Sequence, residues 1–283
     1  MFPTAFYLLL GAANAAPTLS EDVQRCEDLW VAGDYTASIQ ACDAGLKANP
    51  NDIEALWRKA RSLYGKGEVM ANNGASAATR IQMYSEVTAL SERILAIDPS
   101  HGQGHHWKGA GLGRTATAKG VLSSLFMADD IESSWLTAAK SDYRYRASSD
   151  TSAFPGDTYY ALGQFYRLCP DSIIVKMVAG TKGDIDQSIR WLRKGVKDSP
   201  GRIEVVKELG VSLLCKAERD DDPAAATEGR KWLKQAASLP AKKPTDRIDH
   251  QQIPVILERA SEACGYSRDG WQDVSEESLQ KQR

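Results

Sequence analysis

The sequence predicts an all-α protein: a solenoid of about five irregular helical hairpins closed by a C-terminal capping helix. Three observations carry that prediction. Beyond the first fifteen residues, apolar positions recur at helical spacing and the alternation of a strand is nearly missing. Prolines fall at segment ends and glycines at turns, the punctuation of helices. Two segments far apart in the chain repeat the same residue types at the same offsets.

The first segment, residues 1–15, reads as an address. Phe6 to Ala13 belong to an apolar run of roughly a dozen residues, where a bilayer span needs about 20. The run ends in Ala13-Asn14-Ala15, a small-x-small cleavage pattern, and Ser20-Glu21-Asp22 follows, the order of a secretory signal peptide. The expectation is an exported protein, periplasmic or secreted. No Cys directly follows the run, which argues against a lipid anchor, and no later stretch reaches transmembrane length, so stable membrane insertion is not expected.

Residues 16–265 are expected to form the array. Gly33-Asp34-Tyr35, Ser38-Ile39, Cys42, Gly45-Leu46 and Pro50 recur as Gly183-Asp184-Ile185, Ser188-Ile189, Leu192, Gly195-Val196 and Pro200. Glycine makes the turn between antiparallel helices, small residues admit a close neighbour, and proline, lacking an N–H, stops the second helix. The first helix of such a pair carries a Leu-Gly-x-x-large signature, seen at Tyr159-Tyr160-Ala161-Leu162-Gly163-Gln164-Phe165-Tyr166 and at Leu209-Gly210 with Leu213. Trp57 with Ala60, Arg61 and Tyr64 is a weaker copy, and His106-Trp107-Lys108-Gly109 opens another. Terminal prolines at 50, 99, 200 and 240 leave steps of 49 and 40 residues and a gap of 101. Those steps exceed the usual period of about 34. Extra segments are therefore expected between paired helices near 71–79, 113–123 and 167–182. Asp246 to Cys264 predicts the capping helix, with Ile253, Ile256, Leu257 and Ala260 along one side. Residues 266–283 read as a polar tail, loose except at Trp271.

These repeats resemble the tetratricopeptide repeat (TPR). His105-His106-Trp107 with Gly111-Leu112-Gly113-Arg114, and Leu162-Gly163 with Cys169-Pro170 and Gly183-Asp184, resemble a particular irregular TPR group. That group contains the periplasmic T-component of TRAP-type transporters and the regulator of microtubule dynamics proteins. The resemblance covers roughly residues 20–264. It implies a helical array that binds a partner or ligand.

Composition limits the partners. With 35 Lys+Arg against 37 Asp+Glu the net charge is −2, without the basic surplus expected of a nucleic-acid binder. Five cysteines, at 26, 42, 169, 215 and 264, leave at least one unpaired within the chain. Cys26 and Cys42 fall on the two antiparallel helices of the first hairpin, so a disulfide between them is geometrically open; two buried thiols are the alternative. No Cys-x-x-Cys is present, and His101, His105 and His106 lack the Glu of a zinc-protease pattern, so no metal or cofactor is expected. The glycines of Gly109–Gly113 read as small residues on a packed helix rather than a phosphate loop, since no strand precedes them and no Gly-Lys-Ser/Thr closes them. No nucleophile–base constellation appears, so no enzymatic activity is expected. Tyr143-Arg144-Tyr145-Arg146 reads as a solvent-facing helix end, and Val121 to Met127 as an inserted helix packed on the array. The expected function is that of an interaction scaffold of the bacterial cell envelope. It would bind a protein or peptide in a concave groove, with Trp57, His105, Trp107, Arg114, Tyr159 and Tyr160 as groove candidates. The alternative is a transport accessory holding a small apolar ligand in a pocket or tunnel.

Overall fold

The computed structural model describes residues 18–148, 152–275 and 277–278; the address segment 1–15 lies outside them. Five hairpins follow one another: α1 (Glu21–Val31) with α2 (Tyr35–Ala48), α3 (Ile53–Asn72) with α4 (Ala77–Ile97), and α5 (Gly102–Lys119) with α6 (Ala128–Lys140). Next, α7 (Gly156–Leu168) pairs with α9 (Ile185–Asp198) around a short inserted α8 (Ile173–Ala179), and α10 (Ile203–Asp220) pairs with α11 (Pro223–Ser238). The capping helix α12 spans Pro244–Glu258, and Pro254 sits inside it, near the C-terminal end. This is the all-α TPR-like solenoid that the sequence predicts.

Local chemistry starts each helix. Asp34 accepts from the Ala37 amide at 3.0 Å and Asp184 from the Gln187 amide at 2.8 Å, so the Gly-Asp pair is a turn followed by an N-cap. The two glycines serve different needs. Gly33 has φ +82°, where a side chain is strained, whereas a Cβ at Gly183 would strike the Cys169 carbonyl oxygen. The small residue five positions on is a buried serine in both repeats. Ser38 meets Ser62 of the next hairpin at 2.8 Å, and Ser188 meets Ser212 at 2.9 Å. The same bond therefore staples hairpin to hairpin at both ends of the array.

Three expectations are corrected. The extra residues near 71–79 lengthen α3 and α4 to 20 and 21 residues, leaving a short turn rather than an inserted loop. The inserted helix expected at Val121 to Met127 is present and packed on the array, but Leu122–Met127 is a 3-10 rather than an α-helix, with Leu122 and Met127 buried and Phe126 exposed. Tyr143 to Arg146 are not a helix end: α6 stops at Lys140, and β1 (Tyr145–Arg146) pairs antiparallel with β2 (Ala153–Phe154). Tyr145 points inward, where its hydroxyl donates to Glu27 at 2.5 Å and accepts from Arg61 at 2.6 Å.

The largest difference lies at the C-terminus. Residues 266–272, expected within a loose tail, form the ribbon β3 (Tyr266–Ser267) and β4 (Gly270–Trp271), with Tyr266, Ser267 and Arg268 buried. Cys215–Cys264 is a disulfide that ties this segment to α10, alongside the Cys26–Cys42 bridge of the first hairpin. The first and last elements also meet: the turn at Gly33 lies so close to Pro244 that an added Cβ would come within 2.6 Å of its ring. The inner face of the array is thus covered by its own C-terminal segment.

Candidate functional site

The buried centre has two kinds of wall. Trp107 and Ala110 on α5, Leu125 in the 3-10 turn, Ala128, Ile131 and Trp135 on α6, and Ala161, Phe165 and Leu168 on α7 form an apolar one. Close packing of α5 on α6 depends on the glycines: a Cβ at Gly109 would lie 2.6 Å from the Trp135 indole nitrogen. Trp135 donates instead to the His106 carbonyl at 3.1 Å and meets Phe165 edge-on, 6.2 Å between centroids.

The opposite wall is charged. Arg268 reaches back from the C-terminal ribbon and donates to Glu68 at 2.5 Å, to both oxygens of Asp249 at 2.9 Å and to Glu204 at 3.2 Å. Arg114 pairs with Glu68 and, at 2.7 Å, with Asp269. Arg202 pairs with Asp157 and Glu204, and Lys243 stands 3.6 Å from Glu204. Behind them Lys207 donates to Asp249 at 2.5 Å and to the Tyr266 hydroxyl at 2.6 Å. A buried charge persists only when paired and hydrogen-bonded, and here each carboxylate meets at least one cation. Burial works against ionisation of Glu204, but Lys243, Arg202 and Arg268 outweigh it and hold its carboxyl well below the usual range. Burial and Arg202 together lower His106 to about 3, so its ring is neutral; its Nδ1 meets the Thr158 hydroxyl at 3.0 Å.

Between these walls lies a cavity of about 140 Å³. Of the six groove candidates, Trp107, Arg114 and Tyr160 line it together. The other three lie elsewhere. Trp57 is fully buried in the core, edge-on to Tyr145 and beneath Arg58. His105 is half-buried at the start of α5, its Nε2 2.9 Å from the Pro99 carbonyl. Tyr159 stacks on Trp191 at 5.4 Å. Sequence reasoning missed Glu68, Arg202, Glu204, Lys243 and Arg268. A solvated arginine and a buried one look alike in sequence, and the pairs here join residues up to 200 positions apart. Among the described residues no group of three or more His, Cys, Asp or Glu could hold a metal ion, and no helix is long and apolar enough to cross a membrane.

No protein-family model matches the chain, and no curated protein matches its sequence. Solved structures do. A thermophilic TPR protein of Thermus thermophilus, TTC0263, aligns with a TM-score of 0.54 at 14% identity, covering 83% of this chain and 97% of that one. The human IFIT1 dimer with PPP-AAAA aligns with a TM-score of 0.51 at 13% identity, covering 87% of this chain and 49% of that one. These likenesses show a TPR-like helical repeat fold.

Proposed function

We propose that this protein is a non-enzymatic TPR-like binding protein that holds a small ligand inside the array. The observation that carries the reading is the C-terminal segment lying across the inner face. An extended peptide needs that face free along its length, whereas a face crossed by the C-terminal segment, over a half-open cavity with one apolar and one charged wall, suits a small molecule. The resemblance to TRAP T-components extends the reading to an accessory of a transport system. The two disulfides are of a kind that persists in oxidising compartments, which supports an exported, cell-envelope protein. Native mass spectrometry of the full chain from its producing cell tests the ligand. A small molecule released at about one per chain is the expected result. A folded protein that arrives empty, and whose tryptophan fluorescence ignores a toluene-sized probe, would sink the reading.

A second reading, a protein partner, has its own observation. Ile173, Met177 and Val178 on α8 are exposed, Met177 at 82%, and α8 packs against the turn that exposes Phe126. Contiguous exposed apolar residues mark interaction surfaces. Crosslinking with mass spectrometry in the producing cell should place a partner on α8, and Met177→Glu should abolish those crosslinks. Crosslinks unchanged by the substitution would remove this surface from consideration.

A further inference from the structure

α8 (Ile173–Ala179) is apolar on nearly every side, with Lys176 its single charged residue. Val175 and Ala179 are buried, yet Ile173, Met177 and Val178 stand 72%, 82% and 71% exposed. A helix that is apolar all round is one that is covered all round, and the outer face of this one is bare among the described residues. Phe126, 72% exposed, adds to it from the 3-10 helix against which α8 packs. Seven large apolar side chains are exposed among the described residues, and five of them, Ile174 included, belong to these two elements. We propose that this face binds a basic amphipathic helix of a partner protein: an apolar stripe laid against α8, with Lys or Arg beside it. The proposal rests on the protein-partner reading of this surface above and specifies the partner's chemistry.

Charge gives the sign. Asp129 and Asp130 are exposed in the first turn of α6, directly after the 3-10 helix that carries Phe126. Asp129 stands at the C-terminal end of α8, where a Cβ on Gly180 would lie 3.0 Å from its Oδ1. Both carboxylates suit the N-terminus of α6, but neither meets a cation among the described residues. The C-terminal carbonyls of α8 add negative potential at the same end. Of the charges on and beside α8, Asp171 and Lys182 pair with each other at 2.5 Å, and Lys176 lies on the flank opposite Val178.

Sign and size weigh against the other occupants. A bilayer surface that attracts an amphipathic helix is anionic and calls for Lys or Arg on the protein, whereas Asp129 and Asp130 repel it. The seven residues of α8 extend about 10 Å. A stable dimer buries about 800 Å² on each partner, more than so short a helix presents to a second copy. A single helix crossing α8 has an apolar stripe of matching length.

Photo-crosslinking of the full-length protein in its producing cell tests this, with Ile173 replaced by the photoreactive p-benzoylphenylalanine. Mass spectrometry should identify one crosslinked protein segment with apolar residues at helical spacing and Lys or Arg on their flank. Made as a synthetic peptide, that segment should bind the purified full-length protein. Asp129→Asn with Asp130→Asn should weaken it about threefold, and Asp129→Lys with Asp130→Lys by more than about tenfold, at an unchanged thermal midpoint for the Asn pair. A crosslinked segment without basic residues, or peptide binding indifferent to the Asn pair, would overturn the basic partner and leave the protein-partner reading standing. Crosslinks to a second copy of this chain would likewise overturn it in favour of self-assembly. Crosslinks to lipid, or none from a folded protein, would overturn both.

Discussion

Arg268 donates to Glu68 at 2.5 Å across 200 residues of chain, joining the C-terminal ribbon to the C-terminal part of α3. The same guanidinium holds Asp249 and Glu204, so one side chain gathers α3, α10 and α12 around the cavity. Removing a partner from a buried ion network leaves uncompensated charge and costs about 3–5 kcal/mol. Arg268→Met should therefore lower the unfolding free energy by about that much in urea titrations. A loss below about 1 kcal/mol would mean that the ribbon is held in some other way.

The helical hairpins were legible because their signals are local. Gly33-Asp34 and Gly183-Asp184 each encode a turn and an N-cap within four residues. Ser38 and Ser188 sit at the small position because a larger side chain could not bond the next hairpin there. The cavity was only half legible. Trp107, Arg114 and Tyr160 could be marked from their places on first helices, but nothing local tells Arg268 from a tail arginine. Its partners come from elements that meet only once the array has closed. The Cys215–Cys264 bridge was hidden for the same reason, since 49 residues separate its halves.

His106 gives the fold an acid sensitivity with a distinct window. Its imidazole titrates near 6.5 when unfolded and near 3 when folded, so between those values the unfolded chain binds the extra proton. Stability then falls as pH falls, by about 2 kcal/mol between pH 7 and pH 5 from this residue. Glu27 and Glu204, whose folded values lie below 4.5, add their losses only at lower pH. His106→Gln can keep the bond to Thr158 and should flatten the profile above pH 5. Thermal unfolding at pH 7, 6 and 5 checks it, and parallel slopes for the two proteins would refute it.

The Cys215–Cys264 bridge should matter more than the Cys26–Cys42 bridge. Loop-closure entropy gives about 4 kcal/mol for a 49-residue separation and about 3 kcal/mol for a 16-residue one. Replacing Cys215 and Cys264 by serine should lower stability by the larger amount and also raise protease cleavage between residues 260 and 275, where the ribbon is tethered. The serine pair at 26 and 42 should leave that cleavage unchanged. Equal cleavage in both variants would show that the first bridge controls the far end of the chain.

Gly163 and Gly201 form a matched test of repeat packing. A Cβ at Gly163 would penetrate the Leu192 side chain, which is fully buried in the core between α7 and α9, whereas a Cβ at Gly201 meets nothing within 4 Å. Overpacking a core costs about 1–3 kcal/mol, and replacing glycine by alanine inside a helix returns up to about 1 kcal/mol. Gly163→Ala should therefore destabilise by about 1–2 kcal/mol and Gly201→Ala by less than about 0.5 kcal/mol. The cost at Gly163 arises where two helices approach too closely for any side chain, which is why the Leu-Gly pair recurs at Leu209-Gly210: there a Cβ would lie 2.7 Å from Leu233 of the paired helix. Gly210→Ala should match Gly163→Ala in chemical denaturation. If both were neutral, the recurring glycine would reflect something other than helix approach.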